Sequence, residues 1–406
     1  MKANHVERLK ILDIENALKA GNDGGGGNGA SSAGGSTGNG GGEHGRLGTP
    51  AFINLPEASP LTPDEIEEIS KEIRVLNAEQ KIYNLEKYGA VNENTYVLVI
   101  QVHSRVEYLS LLVDSLSRMQ NIENSLIIFS HDLYLPGLNE AIRNIDFARI
   151  MQIFYPNSIQ LNPNRFPGQS PDDCPRDITP TKESRKCMMT SRCMADYLYA
   201  NENSLVWKAT SCAGNLRFFS RLHDTGVIAF LEEDHYVTPD FLWMLNLMET
   251  AMMRNLCHGC NLLSLGTYLK TWNIRSSHSR AVVTNWISSK HNMAISFNKT
   301  LWEKLRKCAP TFCEYDDYNW DWSLLQVSYT CLQAQLDVLG VHHKKKTCDP
   351  KKAAQAIEKG IKQYSSLLFP DNLTVELRRG KKMRLKKGNG GWGDLRDKQL
   401  CMSFAD

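Results

Sequence analysis

Nothing in this sequence is apolar for long enough to cross a bilayer, and its start lacks the apolar core of a signal peptide. If the protein works in the secretory pathway, its targeting segment is expected to lie outside this chain. An excess of charge is missing too: 47 Lys and Arg stand against 45 Asp and Glu. That balance argues against nucleic acid as a main partner, although Lys344–Lys346 and the stretch from Arg378 to Lys387 are locally basic. No Gly-x-Gly-x-x-Gly and no P-loop occur, which disfavours NAD or a transferred ATP phosphate as ligand. Internal repeats are absent. The 406 residues are nevertheless ample for a full core, with a length prior of about two or three domains.

Cysteine is in excess, at 11 residues. With the sequons Asn298-Lys-Thr and Asn372-Leu-Thr, that number points to an oxidising, secretory compartment. The odd total leaves at least one thiol without a partner in the chain. Cys257-x-x-Cys260 is open to two readings: a short disulfide, or half of a zinc site completed by Cys308 and Cys313. The sequons favour the disulfide. Glycine is concentrated in residues 20–48, a Gly/Ser/Asn linker that cannot bury a core. Residues 1–19 ahead of it have weak helical character. In residues 49–94, Thr62-Pro63-Asp64-Glu65 is a capping box whose helix is expected to run to about Lys87, as a stem or peripheral element.

Residues 95–406 read as the functional unit. Tyr96–Val102, Leu126–Phe129 and Ile150–Phe154 are strand-like, with helical periodicity from Val106 to Met119 and again near Leu138–Ile145. This β-α-β-α-β order implies an α/β fold with a parallel, doubly wound, Rossmann-like sheet. Ligands of such sheets bind beyond the carboxyl ends of the strands. His103-Ser104-Arg105 and Ser130-His131-Asp132 follow the first two strands, so both polar triplets fall on one rim. The run Gly226–Leu231 then ends in Glu232, Glu233 and Asp234, a carboxylate cluster suited to a hard divalent cation beside a diphosphate. In Tyr315–Trp322, rings alternate with Asp316, Asp317 and Asp321. Rings beside carboxylates suit a sugar, the ring taking its apolar face and the carboxylates its hydroxyls.

Several stretches carry a more specific likeness. They include Val99–Leu109, Ile127–Asp132, Ser158–Leu161, Asp173–Asp177, Phe230–Tyr236, Leu263–Tyr268, His291–Met293, Thr311–Trp322, His342–Lys345 and Gly390–Asp394. Through them the chain resembles the N-acetylglucosaminyltransferase II family across residues 95–406. The resemblance implies a GT-A glycosyltransferase fold that uses UDP-GlcNAc as donor, a mannose of an N-glycan as acceptor, and Mn2+ as cofactor. It implies a Golgi membrane enzyme with a lumenal catalytic domain, a homodimer being among the expected assemblies. Carried over residue by residue, Gln101, Val102, His103, Ser104, Arg105 and Asp132 would bind the nucleotide sugar. Asp234 would hold the metal, and Asp321 would be the catalytic base. The implied disulfides are Cys174–Cys187, Cys257–Cys260, Cys308–Cys331 and Cys313–Cys401.

Three departures from the family pattern stand out. The family's Phe-His-Ala-Gly-Asp-Cys-Gly element, whose His completes the metal site, is missing where Cys331 runs directly on to His342. That loss orphans Cys348 and leaves His342 as the nearest substitute. The family's Gln-Thr-Lys-His-His-Trp-rich segment is replaced by Ala200–Lys208, and the membrane anchor is not in this chain. A competing expectation follows: a non-catalytic nucleotide-sugar or glycan-binding relative that has lost part of its metal site.

Overall fold

A computed structural model describes residues 6–7, 11–13, 61–158, 160–163, 226–267, 279–287, 291–315, 320–332, 337–340, 350–378, 398 and 401–403. The weak helical character read into residues 1–19 is not what forms there: Val6–Glu7 (β1) and Ile11–Asp13 (β2) are strands. They pair with Arg280–Ala281 and His235–Val237, so long-range pairing overrides a weak local preference.

The capping box at Thr62 opens helix α1, Pro63–Glu79, with Thr62 and Glu65 bonding each other's backbone N–H. The helix stops short of Lys87 because Gln80 turns left-handed, its N–H returning to the Leu76 carbonyl. A short strand, Ile82–Tyr83 (β3), and a single helical turn, Leu85–Tyr88 (α2), follow. Between them Asn84, also left-handed, donates its amide to the carbonyls of Ile145 and Ala148.

The centre of the fold follows the expected alternation. Tyr96–Val102 (β4), Val106–Ser117 (α3), Ser125–His131 (β5), Pro136–Arg143 (α4) and Arg149–Phe154 (β6) come in that order. Val227–Glu232 (β7) and His235–Val237 (β8) precede helix α5, Phe241–Met253. Beyond lie the short strands Leu262–Ser264 (β9), Gly266–Thr267 (β10), Arg280–Asn285 (β11) and Ile295–Asn298 (β12). Three helices then follow: Lys299–Lys307 (α6), Ala309–Glu314 (α7) and Trp320–Thr330 (α8). Asp337–Gly340 (β13), Pro350–Gln363 (α9) and Thr374–Leu377 (β14) complete the described elements.

Among these residues the main sheet runs β1-β11-β13-β9-β12-β7-β4-β5-β6-β3, with β14 beside β11. The stretch β7-β4-β5-β6 is parallel, and antiparallel strands flank it. Helices cover both faces, so β5 and β6 are buried at every position. The two sides still alternate. Leu98, Ile100 and Val102 pack on the side of α3 and α5, whereas Val97 and Val99 pack on the side of α6 and α7. Burying each such side chain contributes about 1.5–3 kcal/mol, and together they fix the register. From β4 the chain winds outward through β5 and β6, while β7 lies on the other flank of β4. The strand order reverses there, and a crevice opens at the carboxyl ends of β4 and β7.

Candidate active site

The crevice floor is built by the residues that leave β4. Gln101 is its last half-buried strand residue. Val102 does not face the crevice: its side chain is fully buried in the core, and its carbonyl accepts from the Asp132 N–H. Any contact from Val102 to a ligand is thereby limited to backbone. Ser104 and Arg105 are exposed on the rim, just ahead of α3.

Beyond β5 the triplet divides. His131 is buried, stacked on Phe154 with ring centroids 4.7 Å apart, and burial pushes its pKa down to about 3. It is a core ring. Asp132 is buried as well, with Oδ2 2.6 Å from His103 Nδ1. That hydrogen bond is the main cause of a raised His103 pKa, burial opposing it. The second oxygen, Asp132 Oδ1, is buried with no hydrogen-bond partner. A carboxylate oxygen so placed is short of a donor.

The three carboxylates after β7 do three different things. Glu233 turns inward: Oε2 accepts from the His103 N–H at 2.8 Å, and Oε1 accepts from Arg105 Nε at 2.8 Å and from its N–H at 3.3 Å. Burial raises the Glu233 pKa, with Arg105 working against it. Asp234 Oδ2 accepts from Arg105 Nη1 at 2.6 Å. Burial disfavours the Arg105 charge, but Asp234 and Glu233 more than offset it and its pKa rises. Glu232 stays at the crevice edge, and its ligating atom, with those of Asp234 and His235, falls within 4.8 Å of the others.

The chemistry of this group fits a hard cation at Glu232 and Asp234, whose oxygens are the appropriate donors. His235 does not fit as a ligand where it stands. The Glu232 N–H donates to its Nδ1 at 3.2 Å, so Nδ1 is the bare nitrogen and the ring proton resides on Nε2. Burial, which brings the His235 pKa down to about 4, agrees with a neutral ring.

The opposite wall comes from the second half of the chain. Trp320 and Asp321 start α8, both buried, and Trp286 Nε1 donates to the Asp321 carbonyl at 3.1 Å. Gln101, His103, Arg105, Glu232, Glu233 and Trp320 line one cleft. An inner chamber shares Gln101, Glu232 and Trp320 with it and adds His235, Asn292 and Ile295. Of the carried-over positions, Gln101, His103 and Arg105 line the cleft, Asp132 is bonded to His103 and Asp234 to Arg105, Ser104 lies exposed on the rim, Val102 is turned into the core, and Asp321 is buried beside Trp320. Asp316, Asp317, Cys174, Cys187, Ala200–Lys208 and His342 lie outside the described residues.

Glu233, His235 and Asn292 were not singled out from the sequence. The run of carboxylates signalled Glu233 only collectively, and nothing in local pattern separates its inward turn from its neighbours. Cys257, Cys260, Cys308 and Cys313 do not form the zinc quartet considered above. Cys257–Cys260, Cys308–Cys331 and Cys313–Cys401 are disulfides. No helix among the described residues is long and apolar enough to cross a membrane.

Comparison with known proteins adds a second line of information. The family profile N-acetylglucosaminyltransferase II (MGAT2) matches residues 70–401. The alpha-1,6-mannosyl-glycoprotein 2-beta-N-acetylglucosaminyltransferase of Sus scrofa is 37% identical over 347 residues, 81% of this chain and 77% of that protein. The protein of that name from Homo sapiens is 36% identical over 348 residues, again 81% and 77%. Among solved structures, a mannosyltransferase from Pyrobaculum calidifontis in complex with GDP-Man and Mn2+ aligns at TM-score 0.31 and 10% identity, covering 84% of each chain.

Proposed function

The chain belongs to the N-acetylglucosaminyltransferase II family of glycosyltransferases, and on that footing we propose that it transfers GlcNAc from UDP-GlcNAc to the α-1,6-arm mannose of N-glycans in β-1,2 linkage. What carries the reading is a convergence at the β4/β7 switch point. The His103–Asp132 pair and the Glu232–Asp234 carboxylates meet there, with Trp320 lining the same cleft.

In this reading Asp132 Oδ1 accepts from a donor on the base or ribose, the partner it lacks within the protein. Arg105, aligned by Glu233 and Asp234, stands at the phosphate end of the cleft. Glu232 and Asp234 would hold Mn2+, which when bound neutralises charge on the diphosphate leaving group. Trp320 offers a ring face to the sugar. Asp321 takes the proton from the mannose 2-hydroxyl as that oxygen bonds to the anomeric carbon. The bond from that carbon to the UDP oxygen breaks, and its electron pair leaves with UDP. The displacement inverts the anomeric centre and requires no nucleophilic Ser or Cys. Three disulfides and the exposed Asn372 of a sequon support a lumenal, Golgi setting.

The test is transfer of GlcNAc from UDP-GlcNAc to a mannose-terminated N-glycan with Mn2+, read by mass spectrometry. Asp321→Asn is nearly isosteric but cannot accept the proton. Turnover at saturation should fall by about 10²–10⁴ while the acceptor still binds. If the variant loses only acceptor affinity, Asp321 is a binding residue and the base lies elsewhere. A wild-type chain that binds UDP-GlcNAc but never turns it over is the non-catalytic relative.

A further inference from the structure

The two Asn-x-Thr sequons are treated in opposite ways by the fold. Asn298 ends β12 and caps α6. It is half-buried, pairs across to Val227, and its Oδ1 accepts from the Leu301 N–H at 3.0 Å. That side chain is built into the structure. Asn372 is exposed, in the turn that leads into β14.

The turn around Asn372 is firmly held. The Phe369 N–H donates to Asp240 Oδ2 at 3.1 Å, and Phe369 is left-handed at φ +57°, a conformation that a bulky residue keeps only under constraint. Trp243 Nε1–H donates to the Pro370 carbonyl at 2.9 Å. Leu373 packs on the core, and the Thr374 N–H donates to the Ser279 carbonyl. Asn372 is thus presented outward from a fixed frame, two residues from the bond to Trp243. Trp243 itself is 41% exposed in the first turn of α5. Its one polar atom is spent on Pro370, so the rest of the indole offers only apolar ring surface. Phe369 meets it at 67°, with ring centroids 6.3 Å apart, so the two rings form a corner and not a closed stack.

An exposed indole with its N–H already bonded suits the apolar face of a sugar ring. Two residues of chain span at most about 7 Å, so a sugar on Asn372 is within reach of that ring. We propose that Asn372 is an N-glycosylation site whose first sugar, a GlcNAc, lies on the exposed ring of Trp243. In the modification, Asn372 Nδ2 bonds to the anomeric carbon of a lipid-diphosphate oligosaccharide. The bond from that carbon to the diphosphate oxygen breaks, its electron pair leaves with the lipid diphosphate, and the amide gives up one proton. The inference is independent of the transfer reaction and rests on the lumenal setting proposed above.

The test is the full chain led through the secretory pathway of cells that keep glycans mannose-rich, digested without reduction and read by mass spectrometry. The three disulfides should be intact and the Asn372 peptide glycosylated. Hydroxyl-radical labelling of the folded chain then reports on Trp243. Labelling should be the same with the whole glycan and after endoglycosidase trimming to one GlcNAc. It should rise about twofold in Asn372→Gln and in Thr374→Ala, which both remove the sequon, and stay low in Thr374→Ser, which keeps it. Disulfides intact with Asn372 bare would overturn the site alone. Free thiols at those six cysteines would overturn the lumenal setting, and the site with it. Trp243 labelling that is unchanged by loss of the first sugar, or that already rises on trimming, would overturn the contact with the ring.

Discussion

Glu233 lines the cleft and anchors the loop that leaves β4. Its carboxylate is 2% exposed and takes donors from the His103 backbone and from both the backbone and guanidinium of Arg105. A buried charge is tolerated only where such donors surround it. Glu233→Gln keeps the size but puts an N–H₂ where an acceptor oxygen was needed, so at least one donor of the β4 exit loop is stranded. We expect a loss of about 2 kcal/mol of stability, read as a lower urea midpoint at unchanged slope. UDP affinity should fall with it, because Arg105 and His103 lose their common anchor. Unchanged stability and affinity together would show that Glu233 is a bystander. At this scale the sequence was legible by type and not by direction. Members of the acidic triplet, of the first rim triplet and of the aromatic-acidic motif line one crevice: Glu232, Glu233, His103, Arg105 and Trp320. What could not be read was that Glu232 and Asp234 look out while Glu233 looks in, that Val102 is core, and that His131 is stacked on Phe154. Those outcomes depend on neighbours more than 20 residues away in sequence.

Among the elements, those with a strong local signal were the ones that could be foreseen. β4, α3, β5 and β6 arise from unbroken apolar runs and a helical stripe whose buried positions, Leu109, Leu112, Val113 and Leu116, are the periodic ones. The capping box placed the start of α1 at Pro63, while its end at Glu79 is set by Gln80 turning left-handed with its N–H on the Leu76 carbonyl. In β12, strand geometry begins only at Ile295, because Ala294 turns left-handed to bring Asn292 to the chamber. Gly266 makes that turn possible. Gly266→Ala would drive a methyl into Met293 Cβ at 2.2 Å and into its carbonyl at 2.9 Å, where a packed backbone has little room to retreat. Overpacking of this kind costs about 1–3 kcal/mol. The urea midpoint should drop accordingly, and a variant as stable as the wild type would mean that the Met293 turn moves freely.

The molecule as a whole is closed by its second half folding back on its first. Helix α9 returns to α3 and β8, with Ile357 and Ile361 packed against Tyr236, and Arg118 Nη2 2.7 Å from Glu358. β14 inserts beside β11, parallel to it. Two disulfides cross-link the second half within itself: Cys308–Cys331 across 23 residues and Cys313–Cys401 across 88. If they act by restricting the unfolded chain, the longer loop matters more, because closure entropy grows with the logarithm of loop length. Cys401→Ser should therefore cost about 4 kcal/mol in oxidising buffer, and roughly 1 kcal/mol more than Cys331→Ser. Urea unfolding of the two variants, each with and without reductant, measures both quantities. The loops overlap between Cys313 and Cys331, so the second cross-link closes a chain that the first has already shortened. The double variant should accordingly lose more than the two single losses added together, because each single variant keeps the other cross-link, which by itself is worth more. Equal midpoints for Cys401→Ser and the wild type under oxidising conditions would mean that contacts of α9 and β14 alone hold the return, with the cross-link following the fold instead of stabilising it.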